Sequence, residues 1–255
     1  MFLRVNPKVE RALLQTPLTK LSPADAYLRG SVLEEREGFE AARAAYALAD
    51  QGLYDADVRA ARDFALRHVV ETVRDGEGPV VDFATGRGTL LHLLLSELLR
   101  SLVATDVSPT ILARVRRRLG EERISYIVAD ARELPFEDGS IPTLVTHLGL
   151  ANVPDSQRLL HELRRVGGEL VATHVFYPED DEENRAAARE IGVEALLVRS
   201  TMLATFREAG WEVGVEIEQP VHARPTPESE LVAGVRIDGL PVAPTTATWC
   251  VLRAS

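Results

Sequence analysis

Five short apolar runs rich in β-branched residues, at 80–84, 101–105, 124–129, 143–148 and 169–175, alternate with helix-forming segments. This alternation narrows the fold more than any other feature of the chain, because strands separated by helices pair in parallel. The runs are continuously apolar instead of alternating with polar residues, as strands covered by helices on both faces require. Two more runs, 211–218 and 246–253, have no helix evident between them and are predicted to pair antiparallel. The expected architecture is therefore an α/β doubly wound sheet of about seven strands, mostly parallel, with an antiparallel last strand.

Two segments fall outside this scheme. From Pro7 to about Asp75 the pattern is helical: Ser22 caps a helix opened by Pro23, and Ala, Leu, Glu and Arg dominate from Ser31 to Asp50. The other is a Pro- and Gly-containing insertion, 219–245, between the last two strands. We divide the chain into a helical N-terminal cap region, 1–75, and a core, 76–255, and expect the cap and the insertion to select what the core acts on.

The formal net charge of −10 opposes a phosphate backbone and disfavours nucleic acid as a partner. The basic group Arg114, Arg116, Arg117 and Arg118 runs directly into Glu121 and Glu122 and reads as a solvated helix face. Cys250 is the single cysteine, so no internal disulfide can form, in keeping with a cytoplasmic protein. Residues 1–15 lack the apolar centre of a signal peptide, and 89–105 is broken by His92, Glu97 and Arg100, so no membrane span is expected.

The segment 80–90 carries the chemistry. A buried strand meets a turn whose small residues, Ala84, Gly86 and Gly88, let a ligand approach the backbone where strand becomes helix. Nicotinamide enzymes use a similar turn, but Asp82 would oppose their pyrophosphate, and Leu91 stands where that pattern needs a third small residue. A carboxylate beside the turn suits a cation. S-adenosylmethionine carries an ammonium and a sulfonium, and so fits the charge. Asp106 and Asp130 end the next two strands, each 24 residues after the preceding acid. There they could accept the ribose hydroxyls and the adenine amino group.

From about Val80 to Gly210 the chain resembles the class I S-adenosylmethionine-dependent methyltransferase superfamily, which has a Rossmann-like fold. The likeness rests on the turn at 82–88, on Asp106, and on Asp130-Ala131-Arg132-Glu133-Leu134-Pro135-Phe136. The continuation of this last segment, 137–141 and the strand to Leu148, together with 161–168, is similar to the small-molecule branch that includes quinone-biosynthesis C-methyltransferases, and 206–211 matches the family's usual entry to its sixth strand. The resemblance implies that Asp82, Ala84, Thr85, Gly86 and Gly88 hold the methionine end of the cofactor. It places Asp106 and Val107 at the ribose and adenine, Asp130 and Ala131 at the adenine, and His147 and Leu148 beside the methionine moiety. Ala84 departs from the commoner glycine, and the loop before the fifth strand is short.

Methyl transfer needs donor and acceptor positioned at attack distance, with no metal required in principle. If the acceptor must lose a proton, His147 and His174, at the ends of the fourth and fifth strands, are the candidate bases, set against an ordinary packing role for each. The acidic run 179–183 reads as a complement to the following helix N-terminus, not as a cation site. An Asn- or Asp-Pro-Pro-aromatic motif, frequent in methyltransferases of base or amide nitrogen, is absent after the fourth strand. The sequence thus points to an S-adenosylmethionine-dependent methyltransferase with a small-molecule acceptor. A non-catalytic S-adenosylmethionine-binding regulator, and a methyltransferase of RNA or protein, are the alternatives; oligomeric state is left open.

Overall fold

The computed structural model describes residues 6–255. The chain forms two compact units, one of residues 6–59 with 223–244 and one of residues 60–222 with 245–255.

The smaller unit is built on α1 (Pro7–Gln15), α2 (Pro23–Glu37) and α3 (Phe39–Leu53). Each of the first two helices opens as its sequence dictates. Asn6 accepts from the amides of Lys8 and Val9, Ser22 accepts from Asp25, and both are followed by proline. Where the sequence suggests one helical stretch over 31–50, the structure has two helices. Gly38, at φ +94°, ends α2 and begins α3, a conformation that a residue with a Cβ resists. Gly30 lets the helices close: a Cβ there would lie 2.7 Å from the ring of Tyr46, whose hydroxyl donates to buried Glu34 at 2.7 Å. Asp25, 1% exposed, ties in the segment after residue 223. Its carboxylate accepts from Ser22 Oγ at 2.6 Å, Ser229 Oγ at 2.5 Å and the amides of Glu230 and Leu231.

The larger unit is a seven-stranded sheet in the order β3-β2-β1-β4-β5-β7-β6. The strands are β1 (Val80–Asp82), β2 (Leu102–Asp106), β3 (Ile124–Val128), β4 (Ile141–His147), β5 (Gly167–Phe176), β6 (Val213–Ala223) and β7 (Thr245–Ala254). The first five pair in parallel and β7 is antiparallel to β5. Glu212 and Ser255 exchange both amide hydrogen bonds at 3.0 Å beside β6 and β7, the mark of an antiparallel pair. Fold class and strand number match expectation. Most strand ends shift by one or two residues, and two differences have a local cause. β1 stops at Asp82, because Ala84 leaves extended geometry at φ +47°. β6 continues through Pro220 to Ala223, which an edge strand tolerates because its outer amides need no ladder partner, so the insertion begins at 224 and not at 219.

Helices α4 (Ala56–Val73), α5 (Thr89–Glu97), α6 (Pro109–Leu119), α7 (Ser156–Val166), α8 (Glu182–Glu190), α9 (Glu194–Leu197) and α10 (Arg199–Glu208) complete the chain. Leu159, Leu160 and Leu163 of α7 and Met202 and Phe206 of α10 join Val81, Phe83, Leu144, Leu170 and Ala172 in one buried cluster. Trp211 closes it, donating its indole N–H to the Leu160 carbonyl at 3.0 Å. Asp181, within the acidic run, caps α8 by accepting from the Asn184 amide at 3.2 Å, the role the charge pattern suggests.

Candidate active site

The crossovers run outward in opposite directions from the neighbouring strands β1 and β4, so the sheet opens a crevice at their C-terminal ends. Asp82 pairs in register with Val145 on one side and Ala104 on the other. Since side chains alternate faces, Asp82, His147 and Asp106 all project from the same face of the sheet. Thr173 pairs with His147, and Trp249 with Val175, which puts both on that face too.

Asp82 is 1% exposed and its Oδ2 has no hydrogen-bond partner. Burial pushes its carboxyl up to about 8; the neighbouring Thr85 hydroxyl opposes the shift and the nearby Asp106 carboxylate adds to it. The turn beyond it is locked from several sides. The Thr85 hydroxyl donates to the Asp82 carbonyl at 2.7 Å and its amide to the Thr105 carbonyl at 2.9 Å. Gly86 and Gly88 take φ of +53° and +70°, and a Cβ at Gly88 would lie 2.9 Å from Val115 of α6. At Gly86, a Cβ would approach only the Ala84 carbonyl oxygen within 4 Å, so the backbone there is open to a ligand.

Asp106 stitches this turn to the next strand end, accepting from the Gly86 amide through Oδ2 and from the Ser108 amide through Oδ1, both at 2.9 Å. Beside it Val107 is 68% exposed, an apolar surface with nothing packed over most of it. Asp130 is gripped by the guanidinium of Arg132 (2.7 Å for the shortest contact) and by that residue's amide, and these bonds hold its carboxyl below its ordinary range. Ala131 is buried next to it.

At the tip of β4, Thr146 donates to the Phe83 carbonyl at 2.8 Å and accepts from the Gly149 amide at 3.1 Å, joining the two strand ends that border the crevice. Leu148 follows at φ +59°. Ala84 and Leu148 are two of the three non-glycine residues with positive φ among the described residues, and both stand at this crevice. His147 is half-buried, stacks at 6.1 Å and 20° on Trp249, and has its Nδ1 2.7 Å from Thr173 Oγ1. Burial, reinforced by Arg62 of α4, pushes its pKa down to about 3.

The structure therefore sets Asp82, Ala84, Thr85, Gly86, Gly88, Asp106, Val107, His147 and Leu148 at the adjoining C-terminal ends of β1, β2 and β4, with Asp130 and Ala131 just after β3. His174 is placed elsewhere. One residue past Thr173, it points to the opposite face, is wholly buried, and donates through Nε2 to the Leu196 carbonyl at 2.5 Å. Burial lowers its pKa to about 4, and Phe176 packs edge-on at 5.2 Å. A histidine so enclosed cannot reach a ligand in the crevice, and the expectation that it acts as a base is withdrawn. The sequence reading missed Thr146, Gly149, Thr173 and Trp249. Only Gly149, following a strand end, carried a local signal.

Residues 80–167 match the model of a methyltransferase domain, within the region where the motifs point to that family. The chain is 38% identical over 103 residues to a demethylmenaquinone methyltransferase of Clavibacter sepedonicus, a match covering 39% of this chain and 42% of that one. It thus spans less than half the length of this relative. Among solved structures, a putative methyltransferase from Bacillus halodurans superimposes with a TM-score of 0.56 at 21% identity, covering 74% of this chain and 97% of that one. The [4+2]-cyclase SpnF has the same fold, with a TM-score of 0.52 at 22% identity over 64% of this chain and 62% of its own. Among the described residues, no helix is long and apolar enough to cross a membrane, and no cluster of His, Cys, Asp or Glu could hold a metal ion.

Proposed function

We propose that this chain is an S-adenosylmethionine-dependent methyltransferase acting on a small-molecule acceptor in the cytoplasm. The reading is carried by Asp82, a buried carboxylate with an oxygen lacking any partner, beside a backbone turn open to a ligand. A buried acid left unsatisfied costs free energy, and a cation placed against it recovers that cost. The ammonium of S-adenosylmethionine is such a cation, and a pyrophosphate is the opposite.

The remaining residues fit the rest of the molecule. Asp106 uses one lone pair on each oxygen for backbone amides and keeps others for ribose hydroxyls. The exposed Val107 offers an apolar contact for the adenine ring, with Asp130 and Ala131 at its far edge. When bound, the cofactor supplies a methyl group already activated by its sulfonium. The protein orients the acceptor in line with it and excludes water. His147 and Leu148, at the tip of β4, stand beside the methionine end of the cofactor in this reading, and His147 is the residue we assign to the acceptor.

The acceptor named for the Clavibacter relative is a demethylmenaquinone; for this chain we propose only the small-molecule class, with the net charge of −10 weighing against RNA. Calorimetric titration with S-adenosylmethionine, S-adenosylhomocysteine and NADH tests the reading. Both adenosyl compounds should bind at micromolar affinity or better and NADH should not compete. Preference for NADH would overturn it. Binding without transfer to any member of a small-metabolite pool would favour the regulatory alternative.

A further inference from the structure

The hydroxyl of Thr173 has one hydrogen-bond partner, Nδ1 of His147, at 2.7 Å. Thr173 is wholly buried, so its O–H proton must be given to a protein acceptor or be lost from hydrogen bonding altogether. Nδ1 is that acceptor only if it carries no proton. A neutral imidazole unprotonated at Nδ1 carries its hydrogen on Nε2. We propose that Thr173 is a positioning residue that fixes His147 in the Nε2–H tautomer, making His147 a hydrogen-bond donor to an oxygen of the methyl acceptor and not a base.

Three further observations agree. Burial and the guanidinium of Arg62 keep the ring neutral throughout the physiological range, and a group with a pKa of about 3 draws protons poorly. Trp249 stacked on the ring holds its plane, so Nε2–H has one direction to point. Arg62, whose guanidinium also meets the Asp63 carboxylate at 3.0 Å, is the cation whose field falls on the ring. The acceptor class this selects has an enol- or phenol-type oxygen that binds ionised. Its electron pair forms the new bond to the methyl carbon as the carbon–sulfur pair returns to sulfur, and the acceptor's proton has already gone to water. No protein base takes part. This proposal rests on the methyltransferase reading for its acceptor, but the tautomer does not.

Long-range proton–nitrogen correlation on protein carrying ¹⁵N-histidine reads the tautomer directly, with His147→Gln identifying the signals among the six histidines. The wild type should show the Nε2–H pattern at pH 7. Thr173→Val should shift it toward a mixture, and Thr173→Ser should restore it. An Nδ1–H pattern in the wild type overturns the proposal even if the valine variant does not fold, as does a folded valine variant with an unchanged pattern. Added 4-nitrophenolate at millimolar concentration should move the His147 Nε2 resonances, and no movement overturns the assignment to an acceptor oxygen. Failure of the adenosyl compounds to bind would instead sink the methyltransferase reading and leave the tautomer result standing.

Discussion

Asp82 and the two histidines make opposite demands on pH. The Asp82 carboxyl is raised to about 8, so its protonated form is favoured in the fold. Its contribution to stability is fully present below about pH 4 and is lost as the pH rises to 8. Comparing urea denaturation of the ligand-free wild type and Asp82→Asn across that window should show the variant gaining relative stability by up to about 1.4 kcal/mol per pH unit. The same variant should bind S-adenosylmethionine at least tenfold more weakly. Because a bound cation drives the proton off, binding by the wild type at pH 7 should release close to one proton, measurable by calorimetry in buffers of different ionisation heat. His147 and His174 act in the other direction. Their folded pKa values, about 3 and about 4, lie below the ordinary value, so the stability they add is present above pH 6.5 and lost on acidification through 4 and 3. His174→Gln, which can still donate to Leu196, should flatten the acid limb without reducing cofactor affinity.

At the scale of the element, the period of two along β4 and β5 separates the two histidines. Both stand near the C-terminal ends of adjacent parallel strands, and from the sequence they look equivalent. Register decides between them: His147 pairs with Thr173, so His174 falls on the face covered by α9 and α10. Just past the tip of β4, a glycine is required. A Cβ on Gly149 would lie 2.1 Å from Thr146 Oγ1, the atom that binds both the Phe83 carbonyl and the Gly149 amide. Gly149→Ala should therefore cost about 1–3 kcal/mol in chemical denaturation and weaken cofactor binding with it. In the helical unit, Gly30→Ala drives a methyl group into the Tyr46 ring and should cost a similar amount.

For the whole molecule, two kinds of contact hold distant parts of the sequence together. Trp211 joins the start of β6 to the α7 carbonyl of Leu160 inside the main apolar cluster. Trp211→Ala should lower stability by about 3–5 kcal/mol, read as a shift in the urea midpoint at unchanged slope. In the smaller unit, Asp25 accepts from residues some two hundred positions later. Asp25→Ala leaves buried donors unpaired and should open 224–244 to limited proteolysis.

A mostly parallel sheet and the three strand-end acids are legible in the residues alone, because strand runs, turn glycines and strand-end carboxylates act through neighbours within a few residues. Helix caps at Asn6, Ser22 and Ser108 are equally local. Tertiary structure alone decided which histidine faces the crevice, that Asp82 keeps an orphan oxygen, and that Thr173 and Trp249 hold His147. Each of these depends on the register of strands far apart in the chain, and a one-residue slip reverses the face of every side chain. Burial, which sets the charge of Asp82 and both histidines, is likewise a property of what packs around a residue and is not written in its own segment.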